Sequence, residues 1–255
     1  MDILYRNYEE PTYKLKFGGY FTPFYNYYDF NCQYFIENNY VHTNDISDYI
    51  IKPEFNAPYF DEANILSKIN YNNDGYFDFN KAILDIGACV GVYSFRSNFK
   101  YVYAFEPNKE MFTFLNFNIM LFNKLHNSQT YNVLLSDKCE NIEFDGFTCN
   151  QDYITDIFKK SSKSIIKSHT LDEFNCENVG LIKVDVEGME EKVLRGGIGT
   201  IIRNNYPPIL FELWTEGDES FNKHRESLIN FISNDLGYDI LWQYGNIQTH
   251  LALHK

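Results

Sequence analysis

The stretch that decides the fold is "AILDIGACVGVYSF", residues 82–95. An apolar run ends at Asp85, glycines stand at 87 and 91, and apolar spacing resumes after them. The pattern predicts a short buried strand, a tight turn and a helix starting near Val90. Glycines let backbone approach a ligand, and a helix start offers N–H groups with no intrahelical partner. The turn therefore reads as a small-molecule cradle with Asp85, Gly87, Ala88 and Gly91 as candidate contacts. A tight turn holding nothing is the alternative.

Outward from this turn, strands and helices alternate. "YVYAFE" (101–106) predicts a second strand, and Asn108 is placed to cap a helix carrying Met111 to Leu121. "TYNVLLSD" (130–137) predicts a third strand, "VGLIKVDVEG" (179–188) a fourth and "PPILFELW" (207–214) a fifth. Edge strands are expected at "NIEFDGF" and "KSIIKS". A helix follows with Phe221, Leu228, Ile232 and Leu236 near one face and Gly237 as its stop. "YDILWQY" and "IQTHLALH" suit a closing antiparallel pair. Strands separated by helices predict an α/β fold, a mostly parallel sheet with helices on both faces and a C-terminal antiparallel hairpin. Before the first strand, Ile65, Leu66 and Ile69 recur at helical spacing, whereas residues 1–55 read as an irregular, aromatic-rich extension expected to cover part of a site.

The ligand class follows from what the turn lacks. Glu106 closes the second strand about 20 residues after the first turn, where an acid accepts hydrogen bonds from ribose hydroxyls. A dinucleotide fingerprint would need glycines at 87, 89 and 92, but Cys89 and Val92 stand at the last two. The missing middle glycine is the one that admits a pyrophosphate. No triphosphate-binding glycine loop is present either. A ligand with an adenosine and no phosphate fits, S-adenosyl-L-methionine being the common example. Asp137 would then meet the adenine amino group, or serve as an ordinary turn residue. Asp85 would either touch the cofactor or pair, buried, with a backbone amide or Lys183.

Groups that do chemistry gather at the carboxyl ends of strands in such sheets. Asp185 is the first candidate for a base or substrate anchor, with a structural acid as the other reading. Glu187 is a second candidate, or part of a helix N-terminus. Lys183, Asp185 and Glu187 share a face if the strand runs on to 187. Glu212 would orient substrate, or join Asp185 in holding a divalent cation such as magnesium. His169 reads as packed or superficial more readily than as a base.

Bulk properties narrow the partners. The chain has 255 residues, 18% of them aromatic, and a formal net charge of −13. That charge opposes phosphate backbones and anionic membranes, so nucleic acid is an unfavoured partner. Cys32, Cys89, Cys139, Cys149 and Cys176 form no CxxC pair and no local His/Cys metal spacing, as expected of reduced thiols in a cytoplasmic protein. The most apolar segment, "MFTFLNFNIMLF" (111–122), is too short to span a bilayer.

Taken together, "LDIGACVGVYSF", "VYAFEPN", "LLSD", "HTLDEF", "LIKVDVEGMEEKVLRGG" and "PPILFEL" resemble, in content and order, the FkbM family of S-adenosylmethionine-dependent methyltransferases. The resemblance covers roughly residues 81–215. It implies a seven-strand Rossmann-like class I fold over a methyltransferase domain at 56–255, and methyl transfer to a hydroxyl of a sugar, glycan or other small molecule. It also implies that Gly87 and Gly91 line the methionine moiety and Glu106 holds the ribose. Cys89 departs from the family, which often has Asn there. RNA ribose 2'-O-methylation and a catalytically silent scaffold are the competing readings. Acceptor specificity is assigned to 1–55 and 140–178, outside the strongest motifs.

Overall fold

The computed structural model describes residues 3–5, 11–15, 19–26, 29–35, 58–89, 91–121, 127–144, 164–213, 219–245 and 248–255. The chain divides into two compact units, Met1–Asn64 and Ile65–Lys255.

In the first unit, β1 (Ile3–Tyr5), β2 (Pro11–Leu15), β3 (Gly19–Asn26) and β4 (Asp29–Phe35) form one antiparallel sheet in chain order. The irregular extension expected there is thus corrected over residues 3–35; residues 36–55 lie outside the described residues. "GYFTPFYNYYDF" is aromatic at nearly every other position and between, so the period-2 alternation that marks a strand is hidden. Aromatic residues nonetheless favour a pleated surface.

Helix α1 (Pro58–Tyr71) crosses from one unit to the other in sequence, and Ile65, Leu66 and Ile69 are buried as their spacing predicts. Then come β5 (Ala82–Ile86), α2 (Val92–Arg96), β6 (Tyr101–Phe105), α3 (Lys109–Leu121), β7 (Ser128–Tyr131), β8 (Leu134–Leu135), β9 (Asn141–Phe144), β10 (Ser164–His169), β11 (Val179–Val184), α4 (Glu190–Arg195), α5 (Ile198–Arg203), β12 (Ile209–Glu212), α6 (Glu219–Asn230), β13 (Tyr238–Leu241) and β14 (Thr249–His254). The main sheet has seven strands in the order β13-β14-β12-β11-β5-β6-β7. β7, β6, β5, β11 and β12 run parallel, and β14 is antiparallel to both β12 and β13. All residues of β5 and β11 are buried, as befits central strands covered on two faces.

The predicted third strand is two strands. β7 ends at Tyr131 on the edge of the main sheet, while β8 pairs with β10 in a separate three-stranded sheet ordered β8-β10-β9. Strands expected at 141–147 and 163–168 are present there as β9 and β10, β9 at an edge as expected but β10 in the middle, paired on both sides. Asn108 caps α3 as predicted, its Oδ1 accepting the Met111 amide at 3.1 Å. Helix α2 starts at Val92 rather than near Val90, with Gly91 as N-cap; Val90 lies outside the described residues. Leu228, Ile232 and Leu236 are buried, and Gly237 turns the chain with φ +78°. Among the described residues no helix is long and apolar enough to cross a membrane.

Candidate active site

Chain order reverses between β5 and β11: β6 and β7 lie on one side of β5, and β11 and β12 on the other. Ligands in open α/β sheets bind outside the carboxyl ends of strands at such a point. The turn 87–91 and the loop 185–189 form its two banks.

The turn is built on left-handed backbone at Gly87 (φ +69°), Cys89 (φ +51°) and Gly91 (φ +88°). A side chain at Gly87 would put Cβ 1.8 Å from the Asp185 carbonyl oxygen, and one at Gly91 would meet Leu115 at 2.4 Å. Both glycines therefore make room for protein: Gly87 lets the two banks lock together, and Gly91 lets α3 pack on the turn. The amides of Gly87 and Ala88 both donate to the Phe105 carbonyl, at 3.0 Å each, and Ala88 is buried. Gly87, Ala88 and Gly91, expected to line the ligand, act first to set the backbone path a ligand would meet.

Glu106 sits where the sequence placed it. Its Oε2 accepts the Cys89 amide at 2.8 Å and its Oε1 the Asn108 amide at 2.7 Å, so one carboxylate ties the turn to the start of α3. The residue is 6% exposed. Burial pushes its carboxyl up to about 7, against the pull of those two amides and of Lys183; the Asp85 charge adds to the rise. Asn132, just past β7, donates to the Glu106 carbonyl at 2.8 Å and fixes this strand end from the other side.

Asp85 takes the second of its two readings. It is fully buried, accepts the Ser94 hydroxyl at 2.6 Å, and lies 3.4 Å from Lys183 Nζ, directly across the β5–β11 register. It organises the crevice from beneath. Lys183, 5% exposed, donates to the Gly87 carbonyl at 2.8 Å, reaches Asp185 at 3.6 Å and lies 5.3 Å over the Tyr93 ring. One ammonium thus touches both banks. Ser94 escaped sequence reading, its only signal being a small polar residue on the inner face of an apolar helix.

The fourth strand does not run to 187. β11 ends at Val184, and Glu187 adopts φ +54°, so the shared face expected for Lys183, Asp185 and Glu187 does not form by strand alternation. Nor is Glu187 in the helix N-terminus, since α4 starts at Glu190 with Met189 as its N-cap. Glu190 does that work instead: its Oε1 accepts the amides of Val186 at 3.0 Å and Gly188 at 3.2 Å. The loop is thereby held from inside by a buried acid, whose carboxyl burial pushes up to about 7. Glu187 is exposed, yet surrounding protein displaces enough water to raise its carboxyl to about 7, with the charges of Asp185 and Glu190 adding. Because solvent reaches this side chain, the shift bears on its reactivity rather than on stability. Asp185 is partly exposed beside it.

Glu212 ends β12, one step beyond the Val184–Phe211 pairing, which sets it level with Asp185. The magnesium expectation finds no support in geometry: among the described residues, the grouping of three potential metal ligands within mutual reach is Cys139, His169 and Glu173, away from Asp185 and Glu212. Asp137 differs from its expected place in the strand plan. It follows β8 rather than the end of a main-sheet strand, is exposed, accepts the Ser136 hydroxyl at 3.1 Å, and its backbone packs on Gly196 at the end of α4. Nothing in its described contacts brings it to the crevice.

A seven-strand, mostly parallel sheet with antiparallel C-terminal strands and a crevice of this make-up defines a class I, Rossmann-like methyltransferase. Residues 85–240, more than half of the chain, match the methyltransferase FkbM domain. The chain belongs to the FkbM methyltransferase family. Among solved structures it is similar to methyltransferase FkbM from Methylobacillus flagellatus KT, with 16% identity, a TM-score of 0.51, and coverage of 73% of this chain and 47% of that one. It spans, then, about half of that protein's length. Precorrin-6y C5,15-methyltransferase from Geobacter metallireducens GS-15 is also similar, at 13% identity, a TM-score of 0.45, and coverage of 80% and 93%. No curated relative matches the chain.

Proposed function

We propose that the chain is an S-adenosyl-L-methionine-dependent O-methyltransferase acting on a hydroxyl of a sugar, glycan or other small molecule. The observation that carries this reading is the Glu106 carboxylate fastened to the Cys89 amide at the strand-order switch. The donor set suits the cofactor. Each Glu106 oxygen accepts one amide and retains capacity for a further hydrogen, as ribose hydroxyls require. When bound, S-adenosyl-L-methionine supplies an electrophilic sulfonium methyl.

The chain's own residues then have separable tasks. Glu106 grips the ribose, and Lys183 keeps the Gly87 carbonyl and the Asp185 carboxylate fixed. Glu187 takes the acceptor's hydroxyl proton on its carboxylate, since a base with a pKa near the working pH is the efficient one. Asp185 orients the acceptor from the same bank.

Calorimetric titration with S-adenosyl-L-methionine and with NAD tests the cofactor, and labelled-methyl transfer into oligosaccharides and phenols tests the acceptor. Heat with the former alone is expected; none at millimolar S-adenosyl-L-methionine sinks the reading. Glu187→Gln is expected to lower kcat by about 10²–10⁴ while cofactor affinity stays within about twofold. Full turnover in that variant, with loss in Asp185→Asn, would move the base to Asp185.

A further inference from the structure

A second cluster of reactive side chains is built from residues that the crevice does not use. Cys139 follows β8, His169 ends β10, and Glu173 lies in a 3-10 turn, Leu171–Glu173. Thirty-four residues separate Cys139 from Glu173, so no local spacing announces the group. The sheet does the gathering: Leu135 pairs with His169, which brings the turn after β8 alongside the segment after β10.

Glu173 is the hub. Its Oε1 accepts the Cys139 thiol, its Oε2 lies 2.8 Å from His169 Nδ1, and the Thr170 amide and hydroxyl each approach Oε1 at 3.3 Å. The Thr170 contacts close a capping box that fixes the carboxylate's direction. One sulfur, one imidazole nitrogen and one carboxylate oxygen fall within 4.8 Å of one another. Ligands around a tetrahedral ion stand about 3.3–3.8 Å apart at metal bond lengths of about 2.0–2.3 Å. The thiol and the imidazole, now hydrogen-bonded to the carboxylate, at 2.8 Å for His169, must draw back from it by about 0.5–1 Å to admit the ion, and Cys139 is exposed, so its side chain has room to turn.

We propose that Cys139, His169 and Glu173 bind a divalent transition-metal ion of the zinc type. The mixed sulfur, nitrogen and oxygen set selects such an ion over magnesium or calcium, which take oxygen ligands. Binding replaces the S–H bond of Cys139 by a sulfur–metal bond, and the thiol proton leaves to solvent. The imidazole proton shifts from Nδ1 to Nε2, so that Nδ1 offers its lone pair. Thiolate and carboxylate together balance the ion's two charges, and the fourth position is open to water. The ion clips the β8-β10-β9 sheet to the 3-10 turn. Metal binding here is independent of methyl transfer in the crevice.

The test uses the full chain with reduced thiols and cobalt(II) as probe. A near-ultraviolet thiolate-to-cobalt charge-transfer band at one equivalent is expected, bleached by zinc, together with a zinc-dependent rise in Tm. Cys139→Ser should abolish the band, whereas Cys89→Ser should keep it. His169→Asn should weaken zinc binding by about tenfold or more. No band at excess cobalt, a band surviving Cys139→Ser, or unchanged zinc affinity in His169→Asn would each overturn the site. Glu173→Gln also removes the capping box, so the cysteine and histidine variants are the deciding ones.

Discussion

Glu106 carries a proton up to about pH 7 because protein has replaced its water, with Asp85 adding to the rise. Ribose hydroxyls donate to the charged form and so favour it. Cofactor binding at pH 7 should therefore release a fraction of a proton, read as a dependence of calorimetric heat on the ionisation enthalpy of the buffer. In Glu106→Gln that dependence should vanish and affinity should fall by about 1–3 kcal/mol. Equal buffer dependence in both proteins would remove Glu106 from the ribose. At Cys89 the issue is backbone. Its φ of +51° is a conformation that Asn tolerates better than other side-chain-bearing residues. The side chain is exposed and the Glu106 bond uses the main chain, so Cys89→Asn should stabilise by a few tenths to about 1 kcal/mol, or about 2–4 °C in Tm at the upper end. At this scale Glu106 and Asn108 were legible because each sits at a strand end or cap with one geometric job. Asp137 and Glu187 were not, since their places depend on where a strand stops.

At the level of elements, the contact between turn and loop sets what substitutions the crevice tolerates. Gly75 and Gly87 share nearly the same φ, +70° and +69°, but Gly75 faces open space and Gly87 faces the Asp185 carbonyl. Gly75→Ala should destabilise by only about 1–2 kcal/mol, the left-handed penalty alone. Gly87→Ala should cost several kcal/mol more or prevent folding, because a carbonyl of a neighbouring strand end has nowhere to go. Equal urea midpoints for the two variants would mean the banks are not in contact. The central strands were readable because β5 and β11 are mostly apolar runs, each broken by one charge, Asp85 and Lys183, and buried along their whole length. The break after Tyr131 was not: "TYNVLLSD" looks continuous, yet Asn132 leaves the ladder to bond the carbonyls of Glu106 and Pro107. Strand β11 ends with the Asp185 amide closing the last ladder bond, to the Ile86 carbonyl, before the chain enters left-handed backbone at Glu187.

Across the whole molecule, two buried acids make stability fall as pH rises, opposed below about pH 6.5 by His250, whose burial lowers it to about 4. Burial, the largest cause for both, raises the carboxyls of Glu106 and Glu190 from a usual value of 4.5 to about 7. Between those values the native chain keeps protons that the unfolded chain has released, so stability falls as pH rises through that window. Glu173 works the other way. Hydrogen bonds from Cys139, His169 and Thr170 hold its carboxyl near 2, but the side chain is exposed and screened by solvent, so this shift adds little to the pH dependence of stability. Urea midpoints for the ligand-free chain should drop between pH 5 and 7.5, with a shallower slope in Glu190→Gln. A flat profile would mean those carboxyls ionise at ordinary values. The α/β plan and the closing antiparallel hairpin were legible from the alternation of buried runs and amphipathic helices, whereas the order of the strands was not. The sheet of residues 3–35 was not, since aromatic crowding masks its period. The placement of Lys183 has a further consequence. A single cation braces both the Gly87 turn and the Asp185 loop, so those surfaces cannot be reshaped one at a time. Changes in what the enzyme methylates are therefore expected to arise by swapping peripheral segments around a frozen keystone, and grafts that leave positions 85, 87, 183 and 185 intact should retain cofactor affinity whatever acceptor they acquire.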